Sequence, residues 1–93
     1  MVKLIWTEIA IEDLRSIHEY ISKDSKVYAD RFIDKLINKV GQLEKFPKSG
    51  RIVPEFNSEI IRELIEGNYR IIYQINSDDI GILRIHHAAR LLK

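Results

Sequence analysis

No cysteine occurs among the 93 residues, so neither a disulfide nor a thiolate metal site is available. A small chain without disulfides suits a reducing compartment. No apolar run approaches the roughly 18 residues that a membrane span needs. The opening stretch Met1-Val2-Lys3-Leu4-Ile5-Trp6 is too short for a signal-peptide core, and Glu8, Glu12 and Asp13 follow at once. A cytoplasmic protein without membrane association is expected. Glycine is scarce, and none of the four has the spacing of a phosphate-cradling loop. His18, His86 and His87 show no ligand spacing with carboxylates on one helix, so no metal and no other cofactor is expected. An excess of either charge is also nearly absent. The net charge of +1 makes a weak global field that disfavours indiscriminate nucleic-acid binding.

What charge there is lies segregated. Arg84, Arg90 and Lys93 join His86 and His87 in a C-terminal stretch without an acid, whereas four Glu and one Arg fall between Glu55 and Glu66. Length predicts one domain spanning residues 1–93, with little stability to spare.

Val2 to Trp6 is short, apolar and partly β-branched, which predicts a strand. Thr7 stands as an N-cap with Glu8 favourable in the first turn, although Ala10 leaves the capping box incomplete. Ala10, Leu14, Ile17 and Ile21 then recur at helical spacing, predicting a helix from about Thr7 to Lys23. After a break at Asp24-Ser25-Lys26, Ser25 can cap a second helix with the stripe Ala29, Phe32, Ile33, Leu36, Val40 and Leu43. Burying each large side chain of that stripe stabilises by roughly 1.5–3 kcal/mol, far above the tenths that separate helix propensities. Phe46-Pro47-Lys48-Ser49-Gly50 ends the helix, and Arg51 to Asn57, with Pro54, reads as a connection. Ile60–Ile65, Tyr69–Ile75 and Ile80 to His86 or His87 read as strands, joined by turns at Glu66-Gly67-Asn68 and Asn76-Ser77-Asp78-Asp79. The order β-α-α-β-β-β predicts an α+β fold, a helical hairpin on one face of a mainly antiparallel sheet.

Several segments together resemble one family. Trp6-Thr7, Ala10, Asp13-Leu14, Ile17 and Tyr20-Ile21 look like the first helix of the RelE/ParE superfamily, and Ala29 and Phe32 like its second. Phe46-Pro47, Gly50-Arg51 and Val53-Pro54-Glu55 are similar to its central connection. Arg62-Glu63-Leu64, Tyr69-Arg70-Ile71-Ile72-Tyr73 and Ile82 to Arg90 complete the set, which spans nearly the whole chain. The resemblance implies the growth-arresting toxin of a type II toxin–antitoxin (plasmid stabilisation) system, held in a hetero-oligomer by its cognate antitoxin. That antitoxin is expected to fold over the toxin from a partly disordered state, for example as an amphipathic helix beside the helical hairpin. ParE-like members inhibit DNA gyrase; RelE-like members cut messenger RNA on the ribosome. An inactive module that only binds antitoxin is a third reading.

RNA cleavage without a metal needs a base for the ribose hydroxyl, cations for the phosphate and an acid for the leaving oxygen. Glu55 suits the base, Arg62 and Arg70 the cations, and His86 or His87 the acid, types that match the nuclease branch. Each has a plainer alternative. Glu55 stands as a solvated glutamate, Arg62 as half of a cross-strand ion pair, and either histidine as a packed or terminal one. His86 and His87 alternate across the strand, so one site can use at most one of them. Tyr69 and Tyr73 read as core, and His18 as a surface or half-buried histidine. No tyrosine follows Tyr73, unlike many family nucleases, and the ending His87-Ala88-Ala89-Arg90 is more like the ParE branch. Gyrase inhibition is therefore expected, with Arg84, His86, Arg90 and Lys93 as the target-contacting surface.

Overall fold

The computed structural model describes residues 2–88. Its elements are β1 (Lys3–Trp6), α1 (Glu8–Ser22), α2 (Lys26–Gly41), a short 3₁₀ turn (Gln42–Glu44), β2 (Arg51–Ile52), β3 (Ile61–Glu66), β4 (Tyr69–Ile75) and β5 (Asp79–His87). Among the described residues five strands form one sheet in the order β1-β5-β4-β3-β2. The β1–β5 pair is parallel and the other pairs are antiparallel, which is the α+β arrangement the sequence predicts. The addition is β2. A two-residue strand followed by Val53-Pro54 carries no alternation for a sequence to display, and it exists because Arg51 and Ile52 pair with Glu63 and Arg62.

Both helices start where side-chain oxygens satisfy free backbone donors. Thr7 Oγ1 accepts the Ala10 N–H at 3.0 Å, and Ser25 Oγ accepts that of Tyr28 at 3.1 Å. Ala10 and Ile17 of α1, then Phe32, Leu36, Val40 and Leu43, meet Leu64, Ile71, Tyr73, Ile80, Ile82 and Ile85 of the sheet in one buried cluster. Gly67 turns the β3–β4 hairpin at φ 58, where a side chain would be strained.

Two local devices set the geometry around that core. Tyr73, fully buried, donates its hydroxyl hydrogen to the Pro47 carbonyl at 2.8 Å and accepts the Gly50 N–H at 2.9 Å. Burial pushes the Tyr73 hydroxyl pKa up. A Cβ on Gly50 would lie 2.5 Å from the Glu63 carbonyl oxygen, so only glycine fits this approach. The second device is a bulge. Tyr73 pairs with Ile82 but Ile72 pairs with Arg84, leaving Leu83 as an extra residue on β5. The bulge reverses the alternation, so Ile80, Ile82 and then Ile85 all reach the core. Thr7 satisfies the carbonyls of the bulge residue and of the one before it, with its N–H on Ile82 and its hydroxyl on Leu83.

Candidate functional site

The sheet surface away from the main cluster is set by the β3–β4 register. Glu63 stands opposite Ile72 and Ile65 opposite Arg70, alternating with the core pair Leu64 and Ile71. Two carboxylates from distant segments converge on Arg70. Its Nε donates to Glu63 Oε1 at 2.5 Å, and its two terminal nitrogens donate to the Glu55 carboxylate at 2.7 and 2.8 Å. The other Glu63 oxygen accepts from Arg51 Nε at 2.5 Å. The result is an alternating chain of charge, Arg51–Glu63–Arg70–Glu55. Glu63 is fully buried and the Arg70 side chain 7% exposed, so each charge needs its partners in place. Glu55, chiefly, and Glu63 hold the Arg70 guanidinium protonated well above its ordinary range, against the opposing effect of desolvation.

Glu55 reaches Arg70 because its loop is wound tightly. The Phe56 and Asn57 N–H groups both donate to the Val53 carbonyl, at 3.1 and 3.0 Å. Asn57 then takes φ 46, a left-handed conformation that asparagine tolerates better than most residues. The reading of Glu55 as a solvated glutamate is thus corrected: its side chain is 21% exposed and clasped by Arg70. Arg62 is corrected too. It makes no ion pair with a carboxylate among the described residues; Nε donates to the Glu59 carbonyl and Nη1 to the Gly50 carbonyl, at 3.0 and 3.1 Å. Arg62 therefore braces the connection that Tyr73 also holds. The candidate base and one candidate phosphate cation, Glu55 and Arg70, come together, but as each other's counter-charge.

A second group forms where α1 runs beside β5 beyond the reach of β1, whose pairing stops at Ile82. Asp13 of α1 accepts from Arg84 Nε and Nη2, at 3.2 and 3.0 Å, and from the Ile85 N–H at 2.9 Å. One carboxylate thus caps a strand edge and pairs a cation, and it raises the pKa of Arg84. Arg84 was expected to face a target; half of its side chain is exposed, while its charge is already matched. The hollow here, about 620 Å³, is bordered by Asp13, Ser16 and Tyr20 on one side and by Arg84, Ile85, His86 and His87 on the other. Both histidines border it, although they alternate along β5. His86 Nδ1 lies 3.0 Å from the His87 carbonyl oxygen, and the His87 ring meets Tyr69 edge-on at 5.3 Å. Tyr69 is half-buried against the core rather than inside it. Arg90 and Lys93 lie outside the described residues.

His18, expected at or near the surface, bridges the helical hairpin. Nε2 lies 2.6 Å from Asp30 Oδ1 and Nδ1 lies 3.3 Å from Ser22 Oγ. Glu63, Arg51 and Asp13 were not singled out from the sequence as site residues. The signal available for Glu63 was its place one residue from a core leucine, Leu64, on the opposite face of the strand.

No helix among the described residues is long and apolar enough to cross a membrane, and among them no three His, Asp or Glu side chains converge as metal ligands. Residues 4–92 match the family described as the ParE toxin of the type II toxin–antitoxin system, parDE. Toxin RelE2 of Caulobacter vibrioides is 34% identical over 92 residues, covering 98% of this chain and 100% of that protein. A chain of the chromosomal ParDE system from P. aeruginosa superposes with a TM-score of 0.77 at 23% identity, over 94% of this chain and 96% of that one. A chain of the E. coli DinJ-YafQ complex, at 13% identity, gives 0.65 over the whole of both chains and shares the fold. By the extent of these matches the chain belongs to the ParE toxin family of type II toxin–antitoxin systems, within the RelE/ParE superfamily.

Proposed function

We propose that this toxin acts in the cytoplasm as an inhibitor of DNA gyrase rather than as a ribonuclease, and that a cognate antitoxin neutralises it in a hetero-oligomer. The supporting observation is the Glu55–Arg70 pair. A general base must offer a lone pair to the ribose hydroxyl, and a phosphate clamp must offer N–H groups to the phosphate. Here the bidentate contact joins those two functions to each other, and the remaining Arg70 Nε is held by Glu63. Cutting RNA with these two groups would require their pair to open. A non-enzymatic inhibitor needs no such opening. Arg84, His86, Arg90 and Lys93 remain the residues proposed to contact the target, with Arg84 presented from its Asp13 pair.

The name of the 34% identical relative, Toxin RelE2, keeps a ribosome-dependent endoribonuclease as the rival reading. In that reading Arg62 and one of the two histidines, His87 or His86, join Arg70 and Glu55 as catalytic groups. A chain that binds antitoxin without toxicity is the third. That the DinJ-YafQ neighbour was solved as a complex supports the antitoxin partner. The test is a supercoiling assay with purified chain and DNA gyrase, run beside cleavage of messenger RNA on purified ribosomes. Loss of supercoiling with intact messenger RNA is expected; cleavage without an effect on gyrase would overturn the proposal, and inactivity in both would favour the antitoxin-binding module.

A further inference from the structure

We propose that the hollow beside Arg51 is a docking site for a protein segment that places a carboxylate next to an aliphatic side chain. The hollow, about 460 Å³, is lined by Arg51, Pro54, Glu55, Ile65, Arg70 and Ala88. Arg70 is already engaged on every nitrogen, since Glu55 accepts one N–H from each terminal nitrogen and Glu63 accepts from Nε, and its charge is matched by both carboxylates. Arg51 is different. Its side chain is 64% exposed and only Nε is engaged, by Glu63, leaving both terminal nitrogens without a partner among the described residues. A fully buried acceptor that is itself fixed by Arg70 holds one edge of this guanidinium. The fork is therefore ordered before any ligand arrives, which lowers the cost of binding.

The walls select the rest of the ligand. Pro54 and Ile65 are exposed, and with Ala88 they make an apolar lining beside a single cationic fork. Water over that lining is displaced favourably by an aliphatic group, while the fork takes a carboxylate in a bidentate contact. A nucleic-acid strand fits less well. Arg51 and Arg70 are balanced by Glu63 and Glu55, so the hollow offers one fork to one carboxylate and no excess positive charge to a run of phosphates. The proposal does not depend on whether gyrase or the ribosome is the toxin's target.

The probes are a short synthetic peptide alternating leucine with glutamate, its leucine–lysine counterpart, and oligouridylate. Each is titrated into the nitrogen-15-labelled full chain. The leucine–glutamate peptide is expected to shift the amides of Arg51, Ile65 and Ala88 and the Arg51 Nε resonance, while the other two leave them in place. Affinity is expected to fall about tenfold in Arg51→Lys, which keeps the charge and loses the fork. A similar loss is expected in Ile65→Lys, a change on an exposed wall that the fold should accommodate whatever Arg51→Lys does to stability. Absence of shifts at millimolar peptide, or unchanged affinity in Ile65→Lys, would overturn the proposal. So would Arg51-dependent binding of oligouridylate, which would make the hollow a phosphate site.

Discussion

Glu55 and Arg70 face each other through two hydrogen bonds of 2.7 and 2.8 Å, although they come from a loop and from the centre of the sheet. If the toxin does not use them as base and phosphate clamp, Glu55→Gln should leave growth arrest within about twofold of the parent while lowering stability. The cost should be about 1–3 kcal/mol, that of weakening a charged hydrogen-bonded pair. Parallel urea unfolding and toxicity assays check it. A folded variant that no longer arrests growth would point to chemistry at Glu55.

Glu63 is the most deeply placed charge of the network, and both of its oxygens are used. Replacement by Gln should cost about 3–5 kcal/mol, because Arg70 keeps its Glu55 pair but a buried amide NH2 must then face one of two arginines that can only donate. Glu63→Gln should therefore be far less stable than Glu55→Gln in urea, whichever target the toxin has.

Tyr73→Phe removes a donor and an acceptor together, leaving the Gly50 N–H and the Pro47 carbonyl to find new partners. A loss of about 1–3 kcal/mol is expected in the denaturation midpoint. Gly50→Ala should be worse, since its Cβ would meet the Glu63 carbonyl oxygen and the Tyr73 hydroxyl at 2.5 and 2.6 Å.

Thr7 caps α1 and holds the β5 bulge with one hydroxyl. Thr7→Ala is expected to cost about 1–2 kcal/mol, near the upper end for an N-cap. Thr7→Ser should recover most of it, and a thermal melt of the three proteins decides.

His18, first, and then Lys26 hold the Asp30 carboxyl below its ordinary pKa. A depressed carboxylate pKa contributes stability above the unfolded value and loses it as pH falls through the folded one. The melting temperature of the parent should therefore exceed that of Asp30→Asn at neutral pH, and the gap should close below about pH 4. Asp30 is exposed, so the gap should be small and should shrink in salt.

The helices and hairpin were legible because their signals are local. Thr7 and Ser25 stand immediately before apolar stripes, and Gly67 sits between two β-branched runs. The charge network was not legible, because Arg51 and Arg70 lie 12 and 7 residues from Glu63 and meet it only once the strands have paired. The Leu83 bulge was hidden for a related reason. A strict alternation groups Ile80 and Ile82 with Arg84, and only the three-dimensional register moves Ile85 into the core instead. The proposed target surface was read half from Arg84 and His86, which the structure describes, and half from Arg90 and Lys93, which lie outside the described residues.

The most direct test of gyrase inhibition is to induce the toxin without antitoxin and pulse-label DNA and protein synthesis in parallel. The account predicts that DNA synthesis stops first and that cells grow into filaments. An early stop in translation, with DNA synthesis continuing, would contradict it and return Glu55, Arg62, Arg70 and the two C-terminal histidines to the centre of the chemistry.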